Sequence, residues 1–160
     1  MSSVSVDWST VGDSDRFAEL TSGLDDFAVQ HWTNSYTTEY LRWRLACPST
    51  HFALHTSDDL VAVTTTDTRF GVRAVMLLKL LVRGDSPARP ERVIAAACRF
   101  HRAPYAVYAG FNARVHVRGI QPPRKLQPSP LHLILRSLSP AIDQDALTLE
   151  TFEFLDMDAY

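Results

Sequence analysis

Residues 72 to 82, VRAVMLLKLLV, form an eleven-residue run in which only Arg73 and Lys79 are charged. A run this apolar reads as a strand covered on both faces, and it is far too short to cross a bilayer as a helix. The chain must therefore place it near the centre of a sheet. The stretches before it supply strand neighbours: HFALHT (51–56) alternates, DD (58–59) turns, LVAVTTTDT (60–68) is β-branched and RFG (69–71) turns again. Together they predict an antiparallel meander.

Helical segments on either side supply the cover. Asp13 or Ser14 can cap a helix in residues 14–32, where Phe17, Leu20, Leu24 and Phe27 recur at near-helical spacing and Gly23 is a weak point. Thr37 or Thr38 can cap a second helix that Pro48 stops. Residues 86–103 predict a third, with Val93, Ile94, Ala97, Cys98 and His101 on one face and Arg92, Arg99 and Arg102 on the other. An edge strand near Val4 to Trp8 and strands in YAVYAGF (105–111), LHLILRSL (131–138) and LTLETFEFLD (147–156) complete the order. The expected fold is α/β of the α+β kind, a mixed, mainly antiparallel sheet flanked by helices, in a single domain over residues 1–160.

The net charge of −2 conceals a segregation. Residues 1–68 carry ten acids against three bases, 69–140 two acids against thirteen bases, and 141–160 six acids and no base. A basic middle suits a solvated face balanced by acidic neighbours, a phosphate-bearing ligand, or a nucleic acid. Residues 112–125, NARVHVRGIQPPRK, read at first as a basic ribbon for nucleic acid, with Tyr105, Tyr108 and Phe111 interleaved before them. The acidic whole and the burial that alternation imposes make nucleic acid the weakest of the three partners. In LLVRGDSPARPERV (80–93) a strand feeds a helix start, an arrangement that suits pyrophosphate, although Asp85 and two prolines make a poor cradle.

Other chemistry is thin. No G-x-S-x-G occurs, and Cys47 and Cys98 lie in apolar surroundings outside any CxxC, as expected of a reduced cytoplasmic protein. His51 and His55 share a strand face without a carboxylate in a metal pattern, so no metal is expected. The start shows no leader pattern, and no membrane association is expected. His116, Tyr105 and Tyr108 are the acid or base candidates.

Four separate stretches carry a family resemblance. EYLRWRLACP (39–48) resembles the "FLRWR…P" segment before the first meander strand of a group of bacterial acyltransferases with the GNAT N-acetyltransferase fold. VMLLKLLVRGD (75–85) resembles their fourth strand, RGIQP (118–122) the "LGF.P" after their fourth helix, and LETFEFLDMDAY (149–160) their closing "W.L..GD.D.Y". The likeness covers roughly residues 36–160.

The resemblance implies a cleft where the fourth and fifth strands part. There the pantetheine of acetyl-CoA or another acyl-CoA would pair with Leu80, Leu81 and Val82, and its pyrophosphate would meet Arg83, Gly84, Asp85 and Ser86. Active members read Arg/Gln-x-x-Gly-x-Gly/Ala in that loop, whereas residues 83–88 read RGDSPA. The family's helix between Asn and Gly-Phe is a turn shorter between Asn112 and Gly119, and the position of its acid Tyr falls at Val115, beside His116. The expected activity is acyl-CoA-dependent transfer to a primary amine, with His116, Tyr108 and Asn112 as the catalytic candidates. The alternative is an idle module of the same fold that binds a protein, a second copy of the chain or a regulatory ligand.

Overall fold

The structure is a computed structural model that describes residues 1–6, 12–24, 36–47, 49–69, 71–84, 88–123, 125 and 149–157. Five strands, β1 (Ser2–Val6), β2 (Phe52–Thr56), β3 (Leu60–Arg69), β4 (Val72–Val82) and β5 (Ala106–Tyr108), lie in that order in one sheet. The first three pairings are antiparallel, and β4 pairs with β5 in parallel. A parallel neighbour requires a crossover, which helix α3 (Glu91–His101) provides. Helices α1 (Ser14–Thr21) and α2 (Thr38–Leu45) precede the meander. Strands β6 (Gly110–Asn112) and β7 (Thr151–Glu153) form a separate antiparallel pair, and a 3-10 turn (Phe154–Asp156) follows. This is the α+β architecture expected, a mixed, mainly antiparallel sheet between helices.

Short-range chemistry sets the helix starts. Asp13 caps α1 by accepting from the Arg16 amide at 3.1 Å, and Thr37 caps α2 by accepting from the Tyr40 amide at 3.1 Å. The Thr21 and Thr38 hydroxyls join the two helices at 3.0 Å. On α3, Val93 and Ala97 face the sheet while Arg92, Arg99 and Arg102 are exposed, as the periodicity predicts. Its C-cap is Arg102, held left-handed at φ 51°, and the following Ala103 amide returns to the Cys98 carbonyl at 2.9 Å.

The centre of the sheet carries one irregularity that decides which side chains go where. Val63 pairs with Lys79 but Thr64 pairs with Leu77, so Leu78 is an extra residue in β4. Before this bulge Val75 and Leu77 pack with Ala97 under α3; after it Leu80 and Val82 pack there with Ala88 and Val93. Met76, Leu78 and Leu81 go to the opposite face, joining Phe17, Leu41, Leu45, Tyr36 and Leu155. The same phase shift puts Lys79 on the face of Tyr36 and Asp156.

Two expectations are corrected. YAVYAGF is not one strand: it breaks at Ala109, with β5 in the large sheet and β6 in the small pair. The unit between Asn112 and Gly119 is no shortened helix. Asn112 Oδ1 accepts from the Arg114 amide at 3.0 Å to make a tight turn, Val115 then bridges in parallel to Ala88, and residues 116–123 follow without helix. Val115 and Val117 prefer extended backbone, and burying Val115 beside Ala88 and Val93 rewards it. The 131–138 strand and the second half of the 14–32 helix lie outside the described residues.

Candidate functional site

Parallel pairing of β4 with β5 ends at Leu77 opposite Tyr108. Beyond that point no described strand neighbours β4 on this side. Two side chains from the small pair take the place of one. The Leu80 amide donates to Glu153 Oε1 at 3.2 Å, and the Leu80 carbonyl accepts from Asn112 Nδ2 at 2.8 Å. Asn112 Nδ2 also reaches Glu153 Oε2 at 3.4 Å.

Behind this cap lies a buried charge cluster. Lys79 Nζ is 2.6 Å from Asp156 Oδ2 and 3.2 Å from Glu153 Oε2, donates to Thr151 Oγ1 at 3.0 Å, and sits 4.7 Å from the centre of the Tyr36 ring. The Tyr36 hydroxyl donates to Asp156 Oδ1. One ammonium thus faces two carboxylates, all almost sealed from solvent. Burial first, then the neighbouring Asp156 charge, push Glu153 up to about 7 against the opposing pull of Lys79. The Tyr108 hydroxyl is buried beside Glu153 without a well-formed hydrogen bond. Burial and that carboxylate raise its phenol well above the ordinary range, as burial and Asp156 raise Tyr36.

A second feature opens at the start of α3. Ala88, Pro90 and Val93 floor a basin of about 1040 Å3 whose rim carries Arg89, Arg92, Arg118 and His116. Asp58, Asp59 and Glu91 lie on the same rim. Asp59 is tied down: it accepts from the Ser57 hydroxyl at 2.7 Å and the Arg89 amide at 3.4 Å, and the Ser57 bond is the main cause holding its carboxyl below the usual range.

The residues singled out from the sequence therefore divide. Asn112, Tyr108 and Leu80 meet around Glu153, with Leu81 and Val82 continuing the same strand. His116 is exposed on the basin, away from that cap. Arg83 turns inward: its guanidinium donates to the Ser57 carbonyl at 3.2 Å and the Leu20 carbonyl at 2.6 Å. Gly84 stands at φ 73° and its carbonyl accepts from Arg114. Asp85 and Ser86 lie outside the described residues. Glu153, Asp156 and Tyr36 escaped notice, although a lone lysine in a strand buried on both faces already requires a buried acid.

An acyl-CoA fits this chain in one part and not in another. The basin's three arginines suit its phosphates, but both polar backbone groups of Leu80 are already engaged by Glu153 and Asn112. Among the described residues no helix is long and apolar enough to cross a membrane, and no three His, Cys, Asp or Glu side chains gather as a metal site would require.

No known family and no curated protein matches the sequence. A solved structure described as a probable acetyltransferase is similar over 85% of this chain and 100% of its own, at 13% identity and a TM-score of 0.41. That likeness is loose, and the fold class rests on the strand order and register given above.

Proposed function

We propose that the chain is an acyl-CoA-dependent N-acyltransferase of the GNAT-like class, with a primary amine as acceptor. The observation that carries this reading is the parting of β4 and β5: one parallel pair in an otherwise antiparallel sheet, joined through α3 and abandoned after Leu77 and Tyr108. The resemblance of residues 36–160 points the same way, and the basin at the first turn of α3 offers arginines where a polyphosphate would lie. In this reading Arg89, Arg92 and Arg118 hold phosphates and the Leu80–Val82 backbone lines the thioester arm. Tyr108, Asn112 and His116 are the candidates for handling protons and aligning groups. An amine positioned against a thioester needs little more than proximity, so a short list of catalytic groups is no obstacle.

A second reading is favoured by the cap on Leu80. A domain whose open strand is closed by its own Glu153 and Asn112 can hold a ligand at the basin without transferring anything. Calorimetry with acetyl-CoA, followed by thiol release in the presence of a panel of amines, separates the two. Binding with turnover is expected for the transferase, and binding without turnover for the idle module. The double variant Arg92→Ala/Arg118→Ala should weaken binding about tenfold or more, the value of losing charge-assisted phosphate contacts. No heat and no thermal shift at near-millimolar acetyl-CoA sinks the acyl-CoA reading, because a ligand well above its Kd must stabilise the fold.

A further inference from the structure

On the α3 face of the sheet a chain of four side chains ties four elements together. Ser3 Oγ of β1 bonds His55 Nδ1 of β2 at 2.9 Å, and His55 Nε2 bonds Thr64 Oγ1 of β3 at 2.9 Å. The same Thr64 Oγ1 bonds His101 Nε2, at the end of α3, at 2.9 Å, and reaches the Ala53 carbonyl at 3.4 Å. His55 is fully buried and His101 half-buried, with ring centres 5.6 Å apart and Phe100 edge-on to both.

The hydrogen-bond inventory of this chain closes when both rings are neutral. Thr64 accepts from the two Nε2–H groups and gives its proton to Ala53, while His55 Nδ1 accepts from Ser3. Charging both rings places two imidazolium ions on one hydroxyl. Around them β1 offers Ser3, β3 Thr64, β4 the cation Arg73, and α3 Phe100. Among the described residues no carboxylate pairs with either ring, so nothing there offsets the added charge.

We propose that this chain of hydroxyls and rings is an acid-sensitive latch, which fastens β1 and the last turn of α3 to the sheet while both histidines are neutral and releases them when the pair is protonated. The direction of the titrations agrees. Burial, then His101, pushes His55 down to about 4, and burial, then Arg73, lowers His101. A histidine whose folded-state value lies below its unfolded 6.5 lends the fold stability that is fully present above pH 6.5 and is lost as pH falls through about 4. The latch thus acts in the acid range. It is independent of the acyl-transfer reading, since no residue of the cap or the basin belongs to it.

The test is amide exchange of the whole chain from pH 7.5 down through the His55 transition near 4, corrected for intrinsic rates, with imidazole titration followed in parallel by NMR. Protection of β1 and of residues 98–103 should fall more than tenfold before that of the β3–β4 centre. His101→Gln keeps a donor for Thr64 but cannot charge, and should move the release to lower pH. Release of His101→Gln at the wild-type pH overturns the latch, as does uniform loss of protection across the sheet. So do imidazoles that both titrate at or above pH 6.5 in the wild-type protein, a measurement that stands even if the variant does not fold.

Discussion

Lys79→Met should destabilise the protein by about 3–5 kcal/mol at pH 8, the usual consequence of leaving a buried charge without its partner. Methionine matches the length of the lysine stem and leaves little cavity, so the loss is electrostatic. It strands Glu153 and Asp156 together, each with the other as a close carboxylate neighbour. The penalty should shrink as pH falls. Glu153 already sits near 7, above its unfolded value, so its protonated form favours the fold at low pH and that contribution is lost as pH rises through about 7. Removing the lysine pushes it higher still. Urea unfolding of variant and wild type at matched pH values from 8 to 5 reads this directly, and a penalty that stays constant across the range refutes it. Matching the pH cancels the acid loss from His55, which works in the opposite direction.

Gly110→Ala should cost about 3 kcal/mol or more and loosen the cap on Leu80 at the same time. Gly110 has φ 121°, a conformation that costs other residues about 1–3 kcal/mol. A β-carbon there would overlap the Phe152 carbonyl oxygen and come within 2.6 Å of Glu153 Cα, adding overpacking of about 1–3 kcal/mol. Because Gly110 pairs with Glu153, relief of that contact displaces the carboxylate that receives the Leu80 amide. Faster exchange of the Leu80 amide, alongside a lower urea midpoint, is the expected pair of results. Unchanged exchange at Leu80 would falsify the link between the two.

Local signals in the sequence were reliable where the physics is local. Asp13 and Thr37 cap because their side chains reach amides three residues on, and Gly71 turns the β3–β4 connection at φ 75°. The long apolar run became an interior strand of the sheet because its valines and leucines fill the packing layers on both faces. The site was less legible because its members come from far apart: Lys79 meets Glu153 and Asp156 across more than seventy residues. The lone buried charge in β4, Lys79, demands an acid without saying which. Arg83 reads as a phosphate ligand from its place after a strand, yet the carbonyls of Leu20 and Ser57 claim it, an outcome set by how α1 docks. The turn after Asn112 followed the preferences of Val115 and Val117 rather than the helix implied by resemblance.

The extra residue at Leu78 makes β4 a strand with two phases, and this fixes its tolerance to change in length. Deleting Leu78 would leave Val63 opposite Lys79 and Thr64 opposite Leu77 in an unbroken ladder, with Lys79 still facing the acids of the C-terminal turn and Leu80 still under α3. A deletion in the regular part of β4, away from the bulge, would instead turn one part of the strand over and send its leucines to the wrong face. Substitutions along this strand can be graded by volume and charge. A one-residue deletion has a mild form only at the bulge.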